Sequence, residues 1–121
     1  MEMVKFSLDW AGTVYEHEGL SASVFSDAIT GLCKEYDDYI ILTPTPPIKY
    51  SSYLQTHSPT EGTNNLMAVE IRFDYPNGSF NHFCYETDDK VEIYRIFVNY
   101  WAKNELPDMT KFKDITNELY P

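Results

Sequence analysis

The chain has 121 residues, 43% of them apolar and 16% aromatic, with nineteen acidic side chains against nine basic ones and a formal net charge of −10. That length and that share of core-forming residues suit one self-folding domain and exclude a disordered chain. The acidic balance removes the phosphate-neutralising surface on which DNA or RNA binding depends and repels anionic membranes; a basic protein, steered in by charge, is the natural partner.

Nothing over Met1 to Lys5 has the form of a secretory leader, and no stretch approaches the roughly 18 apolar residues of a membrane span, so a cytoplasmic chain is expected. Val4, Phe6, Leu8 and Trp10 alternate with Lys5, Ser7 and Asp9, the period of a strand with one buried face. Ala11 and Gly12 turn the chain into a second short strand over 13–17. Ser21 or Ser23 then caps a helix expected over 21–36, with an apolar stripe of Phe25, Ala28, Ile29, Leu32, Cys33 and Tyr36 that Gly31 weakens.

Asp37 and Asp38 lead into Tyr39-Ile40-Ile41-Leu42, a candidate central strand that the prolines of 43–47 should end. A further strand is expected over 48–56, and the polar stretch 57–65, with Pro59 and Gly62, reads as a surface loop. Val69, Ile71, Phe73 and Tyr75 then alternate with Glu70, Arg72 and Asp74 up to Pro76-Asn77-Gly78. A type I turn with Gly78 in the left-handed position fits that triplet. It pairs Tyr75 with Ser79, Ile71 with Phe83 and Val69 with Tyr85, leaving Glu70, Arg72, Asp74, Phe80, His82 and Cys84 on the opposite face.

Thr87-Asp88-Asp89 supplies caps for a second helix over 88–103, whose stripe of Ile93, Ile96, Phe97, Tyr100 and Trp101 should anchor the core. Met109, Phe112, Ile115 and Leu119 suggest a short last helix. The fold class that follows is α+β: a mostly antiparallel sheet of 4–6 strands, two main helices packed on it and a short C-terminal helix, forming a single domain over 1–121.

Catalytic patterns are missing from this pattern of residues: the chain has no glycine-rich phosphate loop, nucleophile elbow or HExxH sequence. Glu16-His17-Glu18 fails as a metal cluster, because alternate residues of a strand face opposite sides. His57 reads as a loop residue without a partner, and His82 as facing Arg72 across the hairpin. Asp37-Asp38 and Asp88-Asp89 sit at element junctions, where capping or solvation accounts for them. Cys33 and Cys84 have neither metal nor disulfide spacing and are expected to be reduced thiols, in the core or half-buried. No catalytic residue, cofactor or metal is therefore expected.

Ten tyrosines are a different matter, since tyrosine combines contact area with a hydrogen-bonding tip and is enriched at interfaces. Asp37, Asp38, Tyr50, Tyr53, Glu86, Asp88 and Asp89 form the expected partner-binding set. Thr45-Pro46-Pro47-Ile48 leading to Tyr53-Leu54-Gln55, the Val69-Glu70 strand, and Leu106-Pro107-Asp108 through Asp114-Ile115 together resemble small uncharacterised bacterial α+β proteins. Some of these look like immunity proteins of polymorphic or contact-dependent toxin systems, although Phe112 stands where that pattern has Trp. The resemblance implies stoichiometric inhibition of a basic toxin domain by a non-enzymatic protein. A small enzyme or ligand-binding domain with a pocket between sheet and helix is the alternative.

Overall fold

Period-two alternation in the sequence becomes one antiparallel sheet in the computed structural model, which describes residues 3–32, 38–58 and 66–119. Its strands are β1 (Lys5–Trp10), β2 (Thr13–Tyr15), β3 (Tyr39–Thr45), β4 (Ser51–His57), β5 (Met67–Asp74), β6 (Phe80–Thr87) and β7 (Lys113–Asp114). They lie in the order β2-β1-β3-β4-β5-β6-β7, so the outermost strands have three and two residues. Helix α1 (Ala22–Thr30) joins β2 to β3, α2 (Lys90–Lys103) follows β6, and α3 (Thr116–Leu119) follows β7. The class is α+β, and the sheet has more strands than the sequence predicts.

Both long helices cover the same face. Phe6, Leu8, Ile40, Leu42, Leu54, Val69 and Ile71 of the sheet are buried together with Phe25 and Ile29 of α1 and Ile93, Phe97 and Tyr100 of α2. Aromatic contacts tie the layers: Phe25 meets Phe97 with ring centroids 6.4 Å apart, and Phe6 meets Tyr100 edge-on at 6.0 Å. Tyr100 is fully buried, and its hydroxyl is 2.7 Å from the Ser51 hydroxyl; burial pushes its pKa up to about 12.

Ser51 reaches Tyr100 because the β4–β5 register shifts between Ser51 and Tyr53. In a regular strand those two residues would share a face; the bulge turns Ser51 into the core and leaves Tyr53 on the other side.

The helix ends follow from capping. Ser21 accepts from the Val24 N–H to start α1, and Asp89 accepts from the Val91 and Glu92 N–H groups to start α2. Asn104, at φ +53°, closes α2 in the left-handed conformation. The ammonium of Lys90 donates to the carbonyls of Thr30 at 2.9 Å and Leu32 at 2.7 Å, so the first residue of α2 caps the end of α1.

Several sequence expectations shift here. Helix α1 ends at Thr30, with Gly31 as its C-cap, instead of running to 36; Cys33, Tyr36 and Asp37 lie outside the described residues. Strand β3 continues through Pro44 to Thr45, because beyond Leu42 it pairs with β1 alone. A strand laddered on one side tolerates a missing N–H. The C-terminal segment is not one helix: a 3-10 turn at Met109–Lys111, the two residues of β7 and the four of α3 share it. The Tyr75 N–H bonds to Ser79 at 2.9 Å, and Ile71 pairs with Phe83 and Val69 with Tyr85, as the turn chemistry predicts.

Candidate functional site

The second face of the sheet carries the residues that alternate with the core. On β4 these are Tyr53, Gln55 and His57, on β5 Ala68, Glu70, Arg72 and Asp74, and on β6 Phe80, His82, Cys84 and Glu86. No described long helix packs there, and most of these side chains are half-buried.

Glu70 is the centre. Its direct cross-strand partners are Gln55 and Cys84, but its carboxylate reaches the diagonal neighbours. Oε2 lies 2.6 Å from His57 Nε2, and Oε1 lies 2.6 Å from His82 Nε2. His82 is only 3% exposed and Glu70 13%, whereas His57 is 40% exposed. Burial works against the charged form of Glu70, but the two imidazole donors outweigh it and hold its pKa at about 2. The Glu70 hydrogen bond in turn raises His57 above its ordinary value.

The network extends to both sides of that carboxylate. His82 Nδ1 lies 3.5 Å from the Tyr53 hydroxyl, whose pKa is raised mainly by burial. The His82 backbone is fixed from the C-terminal segment: its N–H donates to Thr116 Oγ1 at 2.9 Å and its carbonyl accepts from the Ile115 N–H at 2.8 Å. Arg72 pairs with Asp74 at 3.1 Å and stacks 4.2 Å above the Phe80 ring, and Asp74 also accepts from Ser52 at 2.6 Å. Burial, followed by the carboxylates of Glu70, Glu86 and Glu118, pushes the Cys84 thiol up to about 11, which makes it a poor nucleophile.

His57 is therefore the last residue of β4 and not a loop residue, and it has a partner. His82 does stand opposite Arg72 in register, yet its bond goes to Glu70. The hairpin turn makes the Glu70–His82 diagonal legible in the sequence; nothing local gives the register of β4 on β5. His17, in a 3-10 turn, accepts at Nδ1 from the Phe6 N–H at 3.1 Å. Among the described residues no group of three or more His, Cys, Asp or Glu is arranged to hold a metal ion.

The expected partner-binding residues do not form one patch. Asp38, Glu86 and Asp88 lie at the end of the sheet where β3 begins and β6 finishes, with Asp89 beside them as the α2 cap. Asp38, just before β3, and Glu86, near the end of β6, are separated by three strand spacings, about 14 Å. Tyr50 sits at the opposite end, roughly 20 Å away along β5. It shares a two-residue turn with Lys49, both at positive φ, between Ile48 and Ser51, which bond to each other across it. Tyr50 is 54% exposed and contacts the Tyr75 ring at 5.7 Å. Tyr53 lies between the two ends, on the open face; Asp37 falls outside the described residues.

A polar cleft of about 450 Å³ opens between α2 and the 105–111 segment. Glu92 lines it, accepting from Tyr85 at 2.8 Å and from Lys111 at 2.8 Å. No helix of the described residues is long and apolar enough to cross a membrane. No protein-family description, curated protein or solved structure matches the chain.

Proposed function

We propose that this chain is a non-enzymatic protein-binding domain that engages a basic partner, in the manner of an immunity protein neutralising a toxin domain, through the open face of its sheet. The observation that carries the reading is that face itself: a surface on which Glu70, His57, His82, Arg72 and Asp74 are already bonded to one another or to their neighbours, with the aromatic rings of Tyr53 and Phe80 beside them and exposed carboxylates at one end. Pre-ordered side chains lose little entropy on docking, and tyrosines supply area with a directional tip. Asp38, Glu86 and Asp88 would steer a cationic protein toward the face, and the exposed Tyr50 would meet it at the far end.

The test is association with a cationic protein encoded beside this gene, followed at two salt concentrations. Reversing Asp38, Glu86 and Asp88 to lysine should slow association by about tenfold while the fold persists. Asp89 is left intact, because it caps α2. An on-rate indifferent to both salt and charge reversal would overturn steering. A second reading, a small ligand-binding domain or enzyme, is favoured by the cleft beside Glu92. Failure of the protein association, together with a ligand found seated against Glu92, would carry that reading instead.

A further inference from the structure

The two ring nitrogens of His57 both face groups that can only accept. Nε2 lies 2.6 Å from the Glu70 carboxylate, and Nδ1 lies 3.2 Å from the Ser58 carbonyl. A neutral imidazole has one N–H, so it can serve only one of these acceptors; the imidazolium serves both. His82 differs, because its Nε2 faces Glu70 while its Nδ1 faces a hydroxyl that can donate to it. The geometry thus assigns an imidazolium at His57 and a carboxylate at Glu70.

We propose that His57 is a proton-operated clamp that fastens the C-terminal end of β4 to β5 through Glu70. The clamped position is where β4 leaves the sheet, and there the Ser58 N–H bonds the Asp38 carbonyl at 2.9 Å, tying the same end to β3. When His57 loses its proton, one of its two acceptors loses the N–H that His57 supplied, and a nitrogen lone pair faces either a carboxylate or a carbonyl. The end of β4 loosens, and the open face gains one negative charge. Resting on the binding reading above, this makes attraction for a basic partner grow as pH rises.

Among the described residues, titratable and charged groups approach the clamp from four strands and the C-terminal segment. From β3, Tyr39 stands opposite His57; from β4, Tyr53 lies on the same face. From β5 come Arg72 and Asp74, which pair with each other, and from β6 Cys84 and Glu86. Lys113 and Glu118 of the C-terminal segment act on Cys84, beyond Glu70. Neither carboxylate of Asp74 or Glu86 is bonded to His57, so Glu70 is the group that keeps the proton there; its hydrogen bond raises the His57 pKa.

The experiment is nitrogen-15 NMR of the histidine side chains in the full chain, with no partner present, so its result is independent of the binding reading. At neutral pH His57 should show two protonated ring nitrogens. In Glu70→Gln the His57 midpoint should fall, and the proton affinity should drop by about tenfold for each pH unit moved. The Ser58 amide, corrected for base-catalysed exchange, should lose protection several-fold as wild-type His57 deprotonates, and should show no such step in His57→Gln. A neutral His57 in the wild type at neutral pH overturns the proposal without any variant. So does a Ser58 amide that stays equally protected on both sides of the His57 midpoint.

Discussion

The β5–β6 hairpin shows two ways of stabilising one pair of strands. Toward the helices, Val69, Ile71 and Phe73 meet Phe83 and the aromatic layer of α2, and what holds them is buried apolar area. Toward the open side, Glu70, Arg72 and Asp74 meet His82, Phe80, Ser52 and His57, and what holds them is a set of directed bonds. Area is non-directional and indifferent to pH. Directed bonds fix geometry and register, and they respond to protons. The covered face thus supplies most of the stability, while the open face supplies a surface of defined shape.

The comparison breaks most sharply at Phe97. Phe97→Ala removes a fully buried ring between α1 and the sheet and should cost about 3–5 kcal/mol, equally at pH 5 and pH 8, in denaturant unfolding. A strong pH dependence there would mean that the two faces are not separate.

A smaller effect, about 2 kcal/mol, is expected for Glu70→Gln, which leaves the buried His82 without its anionic partner. Its signature is the pH profile. Because the folded Glu70 pKa lies below the ordinary 4.5, its contribution is complete above 4.5 and is lost as pH falls toward about 2. Because His57 is raised above 6.5, its share is complete below 6.5 and is lost as pH climbs through the raised value. The gap between wild type and variant should therefore be widest between those limits and narrow on either side.

Asp89→Ala tests a third kind of contact, the end of a helix. It removes the acceptor for two α2 N–H groups and should cost about 1 kcal/mol, visible as a lower midpoint with an unchanged denaturant slope.

How far the sequence reveals this molecule depends on the range of the determinant. The β5–β6 register is legible because Pro76-Asn77-Gly78 fixes it within a few residues, with Gly78 at φ +88°. Helix α2 is legible from its stripe and from Asp89. Helix α1 is legible at Ser21 but not at its end, because apolar spacing continues beyond Gly31 and the Lys90 ammonium that meets the Thr30 carbonyl comes from sixty residues away in sequence. The centre of the open face is half legible: alternation places Glu70 and His82 together, while His57 joins them through a β4–β5 register that no tight turn sets. The bulge that separates Ser51 from Tyr53 carries no mark in Ser-Ser-Tyr, since it answers to Tyr100 in another element. Strand β7 consists of two polar residues, too few to show any period.

The brevity of the two outermost strands has a consequence for behaviour at high concentration. An open sheet ends in rows of unsatisfied N–H and C=O groups, which invite a neighbouring molecule to extend the sheet into a fibre or a clump. Here the inner strands β5 and β6 have eight residues each, while β2 and β7 offer three and two. An incoming strand would find only a few hydrogen bonds before the template ran out, against the mutual repulsion of molecules carrying ten net negative charges. A broad, polar and partly aromatic face is thus displayed on a sheet whose borders give other copies little to grip.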